Sequence, residues 1–295
     1  MFTSRRLQRQ LAAIPPWLRE PFSLDGTLAE AITAGLRGDH QDLVDSQSAY
    51  LPNFIVIGAP KAATTTLTSI LQRHPQVFVS NPKEPKFFGR RYYKGWRWYG
   101  RMFRPGRRHP WRGEASTMYS SPNKNYRYTA ALMHRYIPGL KIVYLVRDPL
   151  KRLESQWRHM KGWNPKTCNF PDILKAPRSQ RELLVGCSLY YANLQRFRAF
   201  FADSQIHCIS FEDLVAEPAG TLVRLLQFLG ASPSVDTLLD GGQLPRVNSA
   251  GDKGRALIAP PTWTEPLRQR LLGQLAPDGR RMLAYMGKPS SHWQL

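Results

Sequence analysis

The chain has 295 residues, of which 42 are Lys or Arg and 21 are Asp or Glu, so its formal net charge at pH 7 is +21 with neutral histidines. Hydrophobic residues make up 42% of the chain and aromatic residues 11%, which excludes disorder throughout and allows a large apolar core. The positive excess favours an anionic partner: a nucleotide, a nucleic acid, a sulfated or acidic glycan, or a membrane surface.

Targeting and metal-binding signals are weak. No segment has the roughly 18 uninterrupted apolar residues of a membrane-spanning helix, and the arginine-rich start lacks the apolar stretch of a secretory signal. Cys168, Cys187 and Cys208 lack the spacing of zinc ligands, and we expect no bound metal. Cys168 and Cys187 could pair in an oxidising compartment, but the odd number of cysteines favours the cytoplasm. We therefore expect a soluble, cytoplasmic protein.

The chain is predicted to consist of an N-terminal extension and one domain. Residues 1–50 are the extension, which we expect to pack loosely and to contain a short helix over 28–36, ended by Gly38. At residue 51 the pattern changes, and residues 51–295 are predicted to form a single domain.

Short apolar runs alternate with amphipathic segments in this domain. Strands are predicted over 54–57, 77–79, 140–146 and 205–211, and helices over 64–72, 150–161, 189–201 and 211–229. Asp148 is positioned to cap the second of these helices, with Pro149 in its first turn. Buried strands that alternate with helices imply an α/β protein with a mainly parallel sheet covered on both sides.

The turn after the first strand reads GAPKAATTTL over residues 58–67. Its small residues let the backbone approach a ligand, and the helix that follows offers unpaired N–H groups to an anion. Lys61 and the hydroxyls of Thr64, Thr65 and Thr66 lie there. The order differs from a P-loop, in which the lysine directly precedes the hydroxyl, and no acidic residue directly follows the strand over 140–146 to bind Mg²⁺. A metal-free phosphate site is therefore favoured over a magnesium-dependent kinase.

This turn resembles the 5′-phosphosulfate loop of sulfotransferases that use 3′-phosphoadenosine 5′-phosphosulfate (PAPS). The stretch VRDPLKRLESQW is similar to their 3′-phosphate motif, R-x-P-x-x-R-x-x-S. Further similar stretches occur in order between residue 53 and about residue 255: NPKEPKFF, GWRWYGRMF, GEASTMY, SLYYANL, FEDL and NSAGDKGR. The pattern looks most like that of the heparan-sulfate-type and bacterial enzymes. The resemblance implies a P-loop-NTPase-like three-layer α/β fold, PAPS as donor and adenosine 3′,5′-bisphosphate as product.

The resemblance also implies which residues bind the donor. Lys61 would bridge the sulfonate and the 5′-phosphate. Arg147 and Ser155 would bind the 3′-phosphate, and the guanidinium group of Arg147 can donate to two phosphate oxygens at once. The other expected donor-binding residues are Ala62, Ala63, Thr64, Thr65, Thr66, Tyr190, Lys253, Gly254 and Arg255. Arg152, the second arginine of the motif, is expected to form a structural ion pair with Glu154 or Asp148.

The acceptor must lose a proton, and the resemblance assigns the catalytic base to Glu84. Lys86 would keep Glu84 ionised or contact the acceptor. Glu114 is the second catalytic candidate, as a base, a substrate contact or an orienting partner, and the sequence leaves open which carboxylate is the base. Many relatives carry a lysine where Ala115 stands. His74 and His159 are interpreted as structural or surface residues.

Residues 90–112 contain nine Arg or Lys and seven aromatic residues. Such interleaving is typical of proteins that bind single-stranded nucleic acid, although Gly95, Trp98, Tyr99 and Phe103 also belong to the sulfotransferase pattern. We predict a PAPS-dependent sulfotransferase that modifies a hydroxyl or amine of a glycan or small natural product, with an anionic acceptor best fitting the charge. A P-loop-like ATP-dependent kinase and a basic, non-catalytic nucleic-acid-binding protein are the alternatives; nucleic acid is the less favoured partner.

Overall fold

The structure is a computed structural model that describes residues 26–245 and 257–295. Its strands are β1 (Phe54–Gly58), β2 (Val77–Val79), β3 (Trp111–Ala115), β4 (Lys141–Val146) and β5 (Ile206–Ser210). In the described part of the chain they form one sheet in the order β2-β3-β1-β4-β5, and every neighbouring pair is parallel. All five residues of β1 are buried, as expected for a central strand covered on both faces. The predicted parallel α/β sheet is confirmed.

The α-helices of the described ranges lie between and after these strands. They are α1 (Gly26–Arg37), α2 (Gln41–Asp45), α3 (Thr64–Leu71), α4 (Trp96–Arg101), α5 (Thr129–Tyr136), α6 (Pro149–Trp163), α7 (Arg178–Leu184), α8 (Tyr190–Arg198), α9 (Phe211–Ala216), α10 (Pro218–Leu229) and α11 (Glu265–Tyr285). The single helix predicted over 211–229 is wrong, because the chain forms α9 and α10 instead. Pro218 disfavours helical backbone at the residue before it, and Glu217 accordingly has φ −137° and ψ 66°.

The register of the sheet aligns the ends of its central strands. Val56 of β1 lies opposite Ala115 of β3 and Val143 of β4. Because the strands are parallel, the loops that follow β1, β3 and β4 emerge at the same edge of the sheet. Ligands bind at this carboxyl edge in open α/β sheets.

Residues 26–50 pack firmly on the domain. Leu28 and Ile32 of α1 are buried in the main core, and the Tyr136 hydroxyl of α5 donates a hydrogen bond of 2.8 Å to the Gly35 carbonyl. The loose packing expected here is therefore wrong for the described part of the extension. Whether residue 51 begins a separate domain stays a prediction.

The start of α6 forms as predicted. Asp148 Oδ1 accepts hydrogen bonds from the N–H groups of Leu150 at 3.0 Å and Lys151 at 2.9 Å, and Pro149 occupies the first turn. Arg152, one turn later, is fully buried.

The ion pair predicted for Arg152 is wrong. Its Nε donates to Ser188 Oγ at 2.6 Å, and its guanidinium also donates to the carbonyl oxygens of Leu183 and Leu184. Since these acceptors lie before α8, Arg152 joins α6 to the chain that leads into α8.

All three cysteines are free, so the structure contains no Cys168–Cys187 bridge. None of the helices in ranges 26–245 and 257–295 is long and apolar enough to cross a membrane.

Candidate functional site

A cleft of about 1070 Å³ opens where the predicted site residues meet. It is lined by residues of the β1–α3 loop, of the segment after β2, of the turn after β3 and of α6. The predicted site residues that line it are Lys61, Ala63, Thr64, Thr65, Thr66, Glu84, Lys86, Arg147 and Ser155. The two phosphate-binding motifs predicted from the sequence therefore contribute to one continuous cavity.

The loop between β1 and α3 comes close to other backbone at Gly58. A Cβ atom at Gly58 would lie 2.2 Å from Ser120 Oγ and 2.8 Å from the Thr117 carbonyl oxygen, so glycine is required there. The first turn of α3 has no capping side chain from Ala63. The N–H groups of this turn are thus available to an anion, and the positive end of the helix dipole favours one.

Left-handed backbone is concentrated around the cleft. Among the described residues, the non-glycine residues with positive φ are Lys61 (70°), Ala63 (65°), Glu84 (61°) and Lys86 (54°). All four line the cleft. Strained backbone of this kind occurs preferentially at functional sites, and left-handed residues next to a helix start are found in anion-binding loops.

Lys83 is a site residue that the sequence analysis missed. Its Nζ donates to Thr65 Oγ1 at 2.6 Å and lies 3.4 Å from Thr64 Oγ1, so a second ammonium group stands at the start of α3 beside Lys61. Lys83 lies in the stretch NPKEPKFF, whose resemblance to the sulfotransferase pattern pointed to the segment but not to this lysine. Its approach to α3 is a tertiary contact across 18 residues, which no local pattern reports.

Arg147 follows β4 and joins the two motifs directly. Its Nη1 donates to the Lys61 carbonyl at 3.3 Å, and its guanidinium carbon lies 4.3 Å from the centre of the Phe211 ring. Its Nε is buried and has no hydrogen-bond partner among the described residues. A buried, unsatisfied guanidinium N–H at the wall of a cleft is what a site for an anionic ligand provides.

Helix α6 supplies the wall beyond Arg147. Ser155, Arg158 and His159 of this helix all line the cleft. His159 is partly exposed at the cleft, and its interpretation as a structural or surface residue stays a prediction. For His74 it is confirmed, because His74 is buried, with a ring nitrogen 3.0 Å from the Ser232 carbonyl oxygen.

Glu84 and Lys86 form an ion pair at the rim of the cleft. Glu84 Oε2 lies 3.1 Å from Lys86 Nζ, and Glu84 Oε1 accepts from Thr117 Oγ1 at 3.0 Å. The two side chains are 28% and 29% exposed, so both can reach a ligand. The carboxylate is held between an ammonium and a hydroxyl group while remaining open to the cleft.

Glu114 lies behind this rim and does not line the cleft. It is fully buried in β3, where its Oε1 accepts from Tyr99 at 3.0 Å and Tyr119 at 2.6 Å, and its Oε2 from Ser116 Oγ at 2.6 Å. Burial raises the pKa of Glu114 to about 7, against the opposing effect of the three hydroxyl donors. Of the three roles predicted for Glu114, its position suits that of an orienting partner.

Ala62 and Tyr190, two other predicted donor-binding residues, do not line the cleft. Ala62 is buried, and its N–H donates to the Ala59 carbonyl at 3.2 Å. Tyr190 is fully buried, with ring centres 6.2 Å from Tyr144 and 5.7 Å from Trp293. The predicted residues Lys253, Gly254 and Arg255 lie outside the described residues. No group of three or more His, Cys, Asp or Glu side chains in the described ranges is arranged to hold a metal ion.

Four of the seven aromatic rings in the basic segment 90–112 are buried, whereas Tyr93 is 51% exposed and Lys94 Nζ lies 5.3 Å from the centre of the Trp98 ring. The rings of Tyr92, Trp96, Tyr99 and Phe103 are at most 2% exposed, and Tyr99 stacks on Phe87 with centres 4.2 Å apart. Seven of the Arg and Lys side chains in this segment are exposed, at positions 90, 94, 97, 101, 104, 107 and 108. The four buried rings cannot stack on bases, so most of the aromatic residues in this segment serve the core rather than a single-stranded nucleic acid.

Comparison with known proteins agrees with this geometry. The solved structure of a sulfotransferase from Alicyclobacillus acidocaldarius is similar, with a TM-score of 0.67 and 24% identity, over 83% of this chain and 99% of that one. This likeness confirms the three-layer fold that sulfotransferases share with P-loop NTPases.

Similar sequences are also found among mouse enzymes. Heparan sulfate glucosamine 3-O-sulfotransferase 3A1 is 31% identical over 64% of this chain, and bifunctional heparan sulfate N-deacetylase/N-sulfotransferase 4 is 28% identical over 66% of it. The matched part spans only 48% and 24% of those two proteins. A family model described as a sulfotransferase domain matches residues 51–242. That match covers more than half of the chain, which therefore belongs to the sulfotransferase family.

Proposed function

We propose that this chain transfers a sulfuryl group from PAPS to a hydroxyl or amine group of an acceptor and releases adenosine 3′,5′-bisphosphate. The observation that carries the proposal is the single cleft lined by both anion-binding motifs, which the hydrogen bond from Arg147 Nη1 to the Lys61 carbonyl joins at 3.3 Å. A nucleoside with phosphates at two positions needs two anion-binding motifs at a fixed separation. Membership of the sulfotransferase family supports the same conclusion.

The start of α3 fits the 5′-phosphosulfate of the donor. The N–H groups of its first turn, the hydroxyls of Thr64, Thr65 and Thr66, and the ammonium groups of Lys61 and Lys83 would bind it. When bound, PAPS supplies a sulfuryl group carried on a phosphate leaving group. Preorganised cations and N–H groups are the means by which proteins stabilise the charge that develops in such transfers.

Arg147 and Ser155 fit the 3′-phosphate. The buried Nε of Arg147 has no protein partner within the described ranges, and the stacked Phe211 ring fixes the plane of its guanidinium group. A phosphate would satisfy this N–H. The donor roles predicted for Lys253, Gly254 and Arg255 stay predictions; Leu257 and Ile258, which follow them closely in sequence, line the cleft.

Glu84 is our candidate for the general base. Its carboxylate faces the cleft, and the contacts with Lys86 Nζ and Thr117 Oγ1 hold it in one position. Glu84 would take the proton from the acceptor hydroxyl or amine as that group becomes bonded to sulfur. Lys86 would remain beside Glu84 and the acceptor and offset negative charge.

The walls of the cleft favour an acceptor with negative groups. Within the described ranges, six Lys or Arg side chains line the cleft, whereas Glu84 is the only carboxylate there. Lys61, Lys83 and Arg147 are assigned to the donor, which leaves Lys86, Arg91 and Arg158 for the acceptor. We infer that a glycan or small natural product is the acceptor and that nucleic acid is not. A screen of glycans, alcohols and amines with labelled donor tests this inference, and the cytoplasmic location stays a prediction.

Calorimetry without magnesium tests the donor site. Adenosine 3′,5′-bisphosphate should bind more tightly than AMP, which differs only by the 3′-phosphate. Arg147→Ala should weaken the bisphosphate by about tenfold to a hundredfold, since a lost charged hydrogen bond costs roughly 1.5–3 kcal/mol, and should leave AMP nearly unaffected. Arg104→Ala, which removes an exposed cation from segment 90–112, is the control.

Two results would contradict the proposal. Equal affinities for the bisphosphate and AMP, or tighter ADP binding that requires magnesium, would support the kinase alternative. Salt-sensitive oligonucleotide binding that persists in Arg147→Ala would support the nucleic-acid alternative. For the base, Glu84→Gln should reduce turnover to a small residual rate while the bisphosphate still binds, and normal turnover would remove Glu84 from that role.

A further inference from the structure

Glu114 is a carboxylate buried in the core with a complete set of hydroxyl donors. Neither of its oxygens is exposed, and Tyr99, Tyr119 and Ser116 all donate to it. A buried carboxyl group is costly and is retained in a core only when its surroundings satisfy it. This arrangement leaves Glu114 no direct access to substrate, so its effect on the site must pass through its donors.

Two of those donors also bind the segment that carries the candidate base. We define the base loop as residues 84–88. The N–H of Lys86 donates to Ser116 Oγ at 2.9 Å, and the N–H of Phe88 donates to the Tyr119 hydroxyl at 3.2 Å. Each hydroxyl therefore accepts from the base loop and donates to Glu114. We call Ser116 and Tyr119 the hydroxyl relay.

The direction of these bonds follows from the chemistry of the carboxylate. When Glu114 is ionised, its carboxylate only accepts hydrogen bonds, so both relay hydroxyls then point their protons at Glu114. Their lone pairs are then left for N–H donors, and chained bonds of this kind strengthen one another. Tyr99 differs from the relay, because within the described part of the chain its hydroxyl is hydrogen-bonded to Glu114 alone.

The backbone of the base loop requires hydrogen bonds that hold it in place, such as those to the hydroxyl relay. Glu84 and Lys86 have left-handed backbone, which costs of order 1 kcal/mol or more for each non-glycine residue and persists only where neighbouring structure enforces it. The relay binds the loop at Lys86 and Phe88, on the chain directly after Glu84.

We propose that Glu114 is a positioning residue, which acts through the hydroxyl relay to hold the base loop so that Glu84 and Lys86 face the cleft. This inference rests on the proposed function, since it assumes that Glu84 is the base. A displacement of about 1 Å at a reacting group can lower a rate by about a hundredfold, so small movements of the loop would suffice.

A matched pair of substitutions tests the relay. Tyr119→Phe and Tyr99→Phe each remove one buried hydroxyl that donates to Glu114, but only the first also removes the acceptor for the Phe88 N–H. Tyr119→Phe should lower kcat about tenfold to a hundredfold, with unchanged affinity for adenosine 3′,5′-bisphosphate. Tyr99→Phe should keep kcat within about threefold of the wild type. Ser116→Ala removes the acceptor for the Lys86 N–H and should lower kcat as Tyr119→Phe does. This variant replaces Tyr119→Phe in the test if Tyr119→Phe does not fold.

Combination with Glu84→Gln separates positioning from general loss of structure. If the relay acts through Glu84, Tyr119→Phe should not lower the residual rate of Glu84→Gln further, whereas an unrelated structural defect would add to it. Equal rates for Tyr119→Phe and Tyr99→Phe, or additive effects in the double variant, would overturn the inference. If Glu84→Gln alone retains normal turnover, the proposed function of Glu84 fails instead, and the two failures are therefore distinguishable.

Discussion

Glu114→Gln should change how the stability of the protein depends on pH. Burial raises the pKa of Glu114 from its usual 4.5 to about 7, and the nearby charge of Glu84 acts in the same direction. Between these two pH values the folded protein holds a proton that the unfolded chain has released. The free energy of unfolding must therefore fall as pH rises through this window. Glutamine cannot ionise, so the variant lacks this part of the decline.

The size of the effect follows from the pKa difference. A difference of about 2.5 between folded and unfolded states corresponds to about 3 kcal/mol, at 1.36 kcal/mol for each unit. The stabilisation by the protonated group is complete below about pH 4.5 and is lost above about pH 7. By the same linkage relation, most of this stabilisation, roughly 2–3 kcal/mol, disappears between pH 5 and pH 8.

Urea titrations followed by tryptophan fluorescence would measure this difference. The free energy of unfolding of Glu114→Gln minus that of the wild type should increase by roughly 2–3 kcal/mol from pH 5 to pH 8, with unchanged m values. Glu217→Gln, at a side chain that is 54% exposed, is the control for a glutamate change at the surface. A difference that stays constant with pH would mean that the three hydroxyl donors fully offset burial, and the reasoning would be refuted.

Three further predictions concern residues that stabilise the fold. Asp278→Ala removes the carboxylate that accepts from two N–H groups at the start of α8 and should lower the free energy of unfolding by about 1 kcal/mol in urea; an unchanged value would contradict this. Gly113→Ala would bring a Cβ within 2.3 Å of the Phe54 ring and should destabilise by about 1–3 kcal/mol, seen as a lower Tm. Arg152→Met should lower stability by about 2 kcal/mol through unsatisfied acceptors, yet leave the affinity for adenosine 3′,5′-bisphosphate within about twofold by calorimetry. A tenfold loss would make Arg152 a donor ligand.

Much of the fold could be predicted because its signals are local. The buried run over 54–57 and the small residues after it predict a strand, a turn and a helix start without reference to the rest of the chain. Asp148 and Pro149 likewise specify the start of α6 within four residues. The break at Glu217 was equally local, but the prediction gave too little weight to Pro218.

The candidate site was harder to predict, because burial there depends on distant parts of the chain. Tyr190 is covered by Trp293, about a hundred residues later, so its exclusion from the cleft has no local signal. Lys83 and Glu114 are both charged residues in family-like stretches. Only the tertiary packing brings the first to the start of α3 and encloses the second among hydroxyl groups.

The left-handed residues around the cleft have a consequence for attempts to engineer heat resistance. Glycine adopts this backbone without strain, so Lys86→Gly or Ala63→Gly would relieve local strain in the folded state. Glycine also gives the unfolded chain more freedom, which offsets part of any gain in stability. Screens for thermal tolerance that accept glycine at these positions would select for looser loops, and catalytic turnover would be the property that is sacrificed.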